Sequence, residues 1–265
     1  MDVRQLTIAG VLENVPRACD FVIGAARDAG LNEKAIYHCH LAVDETCTNV
    51  IEHGYALRRI DGVIEIVCSV EYNRFVITIT DDSAAFDPLH ISEPVHGLPA
   101  EGRTPGGWGI TFIKRFMDEV SYRYADQRNH LVMKKIINAP HADSAPTFNQ
   151  PLRISVASLT DKLRVLVLSG RLDSSTSRTL QTVLASELSV GNCRIVVDMA
   201  QVDYISSAGI KVLVSAWQRT RALDGDVILA TLRPRVREVF EIIGLDSVFA
   251  LVETPTHAIA LTQMR

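Results

Sequence analysis

The stretch Cys193–Arg219, CRIVVDMAQVDYISSAGIKVLVSAWQR, decides how the second half of the chain folds. Its first part has the β-branched, alternating content of a buried strand, and its last part places apolar residues at helical spacing. A strand therefore runs into a helix through Ile205-Ser206-Ser207-Ala208-Gly209. A plain strand-to-helix connection asks for one capping hydroxyl. This turn offers two, and by itself the pair Ser206 and Ser207 reads as a helix cap with a spare.

Working outward, strand and helix signals alternate. LRVLVLSG (163–170) reads as a strand and 174–191 as a helix with Ser and Thr before it and Gly191 after it. DVILATL (226–232) is a strand, PRVREVFEIIG (234–244) a helix opening on a favourable proline, and SVFALV (247–252) a strand. That alternation predicts an α/β domain over residues 151–265. Upstream, NAPHADSAPTFNQP (138–151) carries three prolines and no periodicity. We therefore expect a linker over 140–150 and a separate domain over 1–139.

The first half is punctuated differently. QLTIAGV reads as a strand, two helices cover about 15–29 and 33–53, and GVIEIVCSVEY and RFVITITDD form strands around a turn at Asn73. A Pro- and Gly-rich stretch, 87–107, precedes a helix GITFIKRFMDEV and the strands SYRYA and HLVMKKII. Helices set apart from a run of antiparallel strands make an α+β layout. An irregular stretch of that length is usually a lid or disordered.

The chain has 265 residues, 47% hydrophobic and 22% charged, enough for a substantial core. A formal charge of −4 gives no basic footprint, so no direct nucleic-acid partner is expected. No apolar run approaches the ~20 residues that span a bilayer, and the start MDVRQLTIAG lacks the features of a signal peptide. Five cysteines, at 19, 39, 47, 68 and 193 without a CxxC pair, fit reduced, mostly buried thiols. We expect a soluble cytoplasmic protein with no membrane partner.

In EKAIYHCHLAVDETCTNVIEHGY (33–55), Ile36, Cys39, Val43, Cys47 and Val50 recur at three- and four-residue intervals as one buried stripe. Glu45, Asn49 and Glu52 fall on the opposite side, and on this helix alone a solvated outer face is the simplest reading. His38 and His40 point about 160° apart, which argues against a metal pair. Two further stretches change the balance. VITITDDSAAFDP (76–88) ends a strand on Asp81 and Asp82. PGGWGITFIKR (105–115) sets Gly106, Gly107 and Gly109 before a helix, where backbone amides favour phosphate.

Taken in order, DETCTNVIEHGY, ITDDSAAFDP and GGWGITFIKRFMDEVSY resemble the N-box and the two glycine boxes of the anti-sigma-factor serine kinase branch of the GHKL ATP-binding fold. The resemblance covers residues 1–139. It implies helices on a mixed, mainly antiparallel sheet, with ATP and Mg²⁺ as cofactors. It makes Glu45 the general base, Asn49 the Mg²⁺ ligand and Asp81 the partner of the adenine amino group. The backbone at Gly106, Gly107 and Gly109 would hold the phosphates under a lid drawn from 89–106. The family's Asp-x-Gly has Ser83 here in place of the glycine.

LSGRLDSST, IVVDMAQVDYISSAGIKVL and PRVREVFEIIGLDSVF likewise resemble a STAS domain of the anti-sigma-factor antagonist kind, nearly end to end over 152–265. In that family the turn reads Asp-Ser-(Ser/Thr)-Gly and a kinase phosphorylates its serine. Placing Gly209 on the glycine makes Ser207 the phosphoacceptor and sets Ser206 on the aspartate, which leaves Ser206 open as an alternative. The two resemblances together imply a partner-switching regulator whose kinase half phosphorylates Ser207 or the serine of a separate STAS protein. Phosphorylation would control a sigma factor or another regulatory protein. Kinases of this family pair, so a homodimer and transfer between chains are also implied. The competing reading is an ATP-binding scaffold without kinase activity, with the STAS half as a docking module.

Overall fold

The computed structural model describes residues 3–56, 61–90, 107–137, 150–160 and 163–263. The chain divides into two compact units.

The first contains β1 (Arg4–Ala9), α1 (Val15–Asp28), α2 (Glu33–Asn49), β2 (Val63–Glu71), β3 (Arg74–Asp81), α3 (Trp108–Phe116), β4 (Glu119–Ala125) and β5 (Arg128–Ile136). Its sheet has the order β1-β2-β3-β5-β4, and each of these pairings is antiparallel. Alternation decides the face: Ile64, Ile66 and Cys68 of β2 point inward with Ile77, Ile79, Leu131 and Met133. Between β2 and β3 the left-handed residue is Tyr72 (φ 56°), so the turn is made by Tyr72 as well as the expected Asn73.

Asn32 caps α2, its Oδ1 accepting from Ala35 N at 2.8 Å. From Ala35 to Thr48 every position of α2 is buried. The helix packs on both α1 and α3. This overturns the solvated outer face: Asp44 and Glu45 are each 2% exposed. After Asn49 the helix continues as a π-helix, Val50–Tyr55, a form common at functional sites. The Tyr55 ring fills the space beside Gly10 and Gly62, where a Cβ would run into it.

The helix expected over 109–120 ends at Phe116 because the sheet claims the residues just beyond it. Asp118 Oδ2 accepts from Ile136 N at 2.6 Å, and Glu119 already pairs with Lys134.

The second unit contains β6 (Arg153–Ser158), β7 (Leu163–Leu172), α4 (Ser177–Ser189), β8 (Arg194–Ile205), α5 (Ser207–Arg221), β9 (Asp226–Ala230), α6 (Pro234–Ile242), β10 (Ala250–Val252) and α7 (Pro255–Gln263). The sheet order is β10-β9-β8-β7-β6, parallel from β10 to β7 and antiparallel at β6. Every residue of β9 is buried, as in a sheet covered on both faces. Ala258 of α7 joins one core layer with Leu163, Val165, Val196, Ile228 and Val252. Strand β6 and helix α7 go beyond the elements read from the sequence. Among the described residues no helix is long and apolar enough to cross a membrane.

Candidate functional site

The first unit's site is assembled where α3 begins against α2. Gly107 caps α3 in the left-handed conformation (φ 80°), which glycine adopts without steric cost. Two residues on, Gly109 is pressed against the polar face of α2. A Cβ at Gly109 would overlap Glu45 Oε2 and lie 3.2 Å from Glu45 Cδ and 3.5 Å from Asn49 Nδ2. Glu45 and Asn49, one turn apart on α2, therefore meet the positively polarised N-terminal turn of α3. Gly106 and residues 91–106 of the expected lid lie outside the described residues. The lid's first residues, Leu89 and His90, close a short 3-10 turn that Lys114 of α3 fastens, its Nζ donating to Leu89 O at 2.9 Å.

A cleft runs from Asn49 to Asp81, with Gly54, Ser83, Phe86 and Asn129 among its walls. Asp81 is 4% exposed. Its Oδ1 accepts from Ser83 N at 2.9 Å and from Asn129 Nδ2 at 3.0 Å. Among the described residues no hydrogen bond reaches Oδ2. Asp81 lines the cleft, so this oxygen is an acceptor available there.

Asn129 ties the loop after β3 together, and no sequence signal marked it. Its Nδ2 also lies within hydrogen-bond distance of Ser83 O (3.1 Å), Ser83 Oγ (3.1 Å) and Ala84 O (3.2 Å). Its Oδ1 accepts from Phe86 N at 3.1 Å and from the Tyr122 hydroxyl at 2.7 Å. Burial, with the Asp87 and Asp81 carboxylates nearby, pushes the Tyr122 phenol up despite the opposing hydrogen bond at Phe86, so it stays a donor. The second acid, Asp82, is exposed and points away to Tyr55, whose hydroxyl donates to Asp82 Oδ1 at 2.6 Å. Partial burial would raise Asp82, but the Tyr55 and Val63 hydrogen bonds outweigh it and hold the carboxyl below its ordinary value.

The second unit places Ser206 and Ser207 where β8 hands over to α5, Ser206 at the cap position and Ser207 first in the helix. The turn is fastened to the end of β7. Ser206 N donates to Leu172 O at 3.0 Å, and a Cβ on Gly209 would sit 2.8 Å from that same oxygen. Flanking Leu172, Arg171 and Asp173 form a buried ion pair (3.0 Å), with the guanidinium 4.8 Å from the Tyr204 ring centroid. Both serines are buried, Ser206 to 2% and Ser207 to 5% exposure. The Ser206 side chain makes no cap hydrogen bond, and its Oγ has no partner among the described residues. The simple cap reading therefore fails for Ser206.

Comparison with known proteins agrees with both halves. Residues 8–135 match the histidine kinase-like ATPase domain and residues 156–258 match the STAS domain. Over 122 residues the chain is 30% identical to the serine-protein kinase RsbW of Bacillus thuringiensis, covering 43% of this chain and 72% of that one. Over 100 residues it is 36% identical to BtrV of Bordetella bronchiseptica, named as an anti-sigma factor antagonist, covering 38% of this chain and 86% of that one. An anti-sigma factor antagonist structure from Mycobacterium paratuberculosis aligns at 22% identity and TM-score 0.39, over 42% of this chain and 94% of that one. The chain belongs to the histidine kinase-like ATPase family through its first half and to the STAS family through its second.

Proposed function

We propose that this chain is a partner-switching regulator, with an ATP-dependent serine kinase over residues 1–139, a linker over 140–150 and a STAS domain over 151–265. The observation that carries the reading is the meeting of Gly109 with Glu45 and Asn49, one turn apart on a buried helix. Two features fit a nucleotide. Oδ2 of Asp81 is an acceptor on the cleft wall suited to an exocyclic amino group, and the first turn of α3, with glycine at 107 and 109, offers backbone amides to phosphate. Asn49 would hold Mg²⁺, and Gly107 and Gly109 would border the phosphates. ATP supplies the phosphoryl group and Mg²⁺ neutralises its charge. Glu45 accepts the proton that the attacking serine hydroxyl gives up.

The acceptor is Ser207, with Ser206 as the alternative, or the matching serine of a separate antagonist. About −2 charge at the start of α5 is tolerable beside the helix N-terminus, but it changes what can dock over the turn. On this reading a sigma factor or another regulatory protein is captured or released accordingly. The competing reading, a nucleotide-binding scaffold that transfers nothing, draws on the burial of both hydroxyls.

Intact mass after incubation with Mg-ATP separates them, using wild type, Ser207→Ala and Glu45→Ala. One added phosphoryl group, absent from both variants, is the expected result. Retention in Ser207→Ala moves the acceptor elsewhere. ATP binding without any transfer, to this chain or to an added STAS protein, overturns the kinase reading in favour of the scaffold.

A further inference from the structure

Gly54 poses a question that its backbone does not answer. It lies in the π-helical segment after α2, and its φ is outside the left-handed region that favours glycine. Glycine in a helix is destabilising relative to alanine, so some other demand keeps the position bare. That demand is Ser83. A Cβ on Gly54 would come within 2.8 Å of Ser83 Cβ and 2.9 Å of Ser83 Oγ.

Ser83 is 5% exposed, and it is the residue that departs from the Asp-x-Gly pattern. Its side chain is tucked toward the bare backbone of Gly54 on one side and Asn129 Nδ2, at 3.1 Å, on another. Both residues line the same cleft as Asp81. Ser83 also reports its position directly to that acid, because Ser83 N donates to Asp81 Oδ1 and Asn129 bridges both.

We infer that Gly54 and Ser83 form a fitted pair that sets the position of the Asp81 carboxylate and so governs how tightly the cleft takes a purine base. This deepens the ATP reading and rests on it. A methyl at residue 54 would need Ser83 to retreat by about 1 Å to restore carbon–carbon contact. Because Ser83 shares hydrogen bonds with Asp81 and Asn129, the carboxylate moves with it. Removing the Ser83 side chain instead frees the space and keeps the Ser83 N–H that Asp81 uses.

The test is calorimetric titration of Mg-ATP into the full chain for wild type, Gly54→Ala, Ser83→Gly and the double variant, with the melting temperature of each. Gly54→Ala should weaken binding about tenfold or more. Adding Ser83→Gly to Gly54→Ala should relieve the overlap and recover most of that loss, with the single Ser83→Gly variant as the reference for the double. Wild-type affinity in Gly54→Ala, or a double variant no tighter than Gly54→Ala, overturns the pair. Absence of any nucleotide binding by the wild type is a failure of the ATP reading, and the pair is then judged on melting alone. Alanine ordinarily stabilises a helix, so a lower melting temperature for Gly54→Ala that Ser83→Gly restores supports the pair. An unchanged or higher one refutes it.

Discussion

Replacing Gly109 by alanine adds one methyl group at the point where α3 meets α2. That carbon would overlap Glu45 Oε2 and sit 3.2 Å from Glu45 Cδ, against the 3.5–4.0 Å at which carbon atoms pack comfortably. Relief requires a shift of about 0.5–1 Å. Glu45 is 2% exposed, so it has little room to retreat, and α3 must give as well. A misplacement near 1 Å costs on the order of a hundredfold in rate when the group is catalytic. For stability, the overlap costs roughly 1–3 kcal/mol, offset by about 1 kcal/mol from alanine's better helix propensity. We expect phosphoryl transfer, measured as incorporation from Mg-ATP, to fall about a hundredfold while the melting temperature drops by a few degrees. Gly24→Ala is the control. Gly24 lies inside α1 with no atom within 4 Å of an added Cβ, so alanine there should stabilise the chain by about 0.5–1 kcal/mol. Wild-type transfer by Gly109→Ala would refute the placement of Glu45 at the reacting end of the cleft.

Ser206→Ala should leave the chain as stable as wild type or slightly more stable, because it removes a buried hydroxyl that has no partner among the described residues. A loss near 1 kcal/mol in denaturant unfolding would reinstate the capping role. In thiol labelling of the native chain, the half-buried Cys193 should react first. Burial pushes Cys39 and Cys47 well up, and Cys68 up to about 12, so only unfolding should expose these three. Early modification of Cys47 in mass-mapped digests would contradict the packing of α2. Tyr55→Phe should destabilise the chain by about 1 kcal/mol at pH 7 through its lost hydrogen bond to Asp82. Asp82 is held below its unfolded value, so its contribution is complete above an unfolded pKa of about 3.9 and is lost as pH falls through the lower folded one. The gap between Tyr55→Phe and wild type in pH-dependent melting should therefore narrow under acid conditions, and a constant gap would count against the Tyr55–Asp82 link.

Periodicity is most legible where a helix packs on one side only, as in α5, whereas β8, buried on both faces, shows through its β-branched content. The strand β8 and the helix α5 announced themselves, as did the order of acids and glycines in the first half. Strand β6 did not: Ile154 and Val156 alternate with polar neighbours, but the run is short and five of its six residues are exposed. The polar face of α2 was visible as a face, yet its burial was not. What covers Glu45 is a helix that starts about sixty residues later, and spacing along one helix says nothing of that. Asn129 was illegible for a similar reason. It is 48 residues from the carboxylate it holds, in a strand where a single asparagine carries no pattern. Tertiary pairing likewise drew Glu119 and Val120 out of an expected helix and into β4.

The burial of fourteen consecutive positions of α2 has a mechanical consequence. Amides of a helix so enclosed exchange with solvent only when the whole unit opens, and a close-packed interior does not deform by degrees. Glu45 and Asn49 are in effect mounted on the chassis. Whatever rearranges when a ligand enters or leaves must be carried by parts that meet the helix from outside: the first turn of α3 and the loop after β3. Hydrogen exchange should find those two segments changing while α2 keeps the slowest amides of its half.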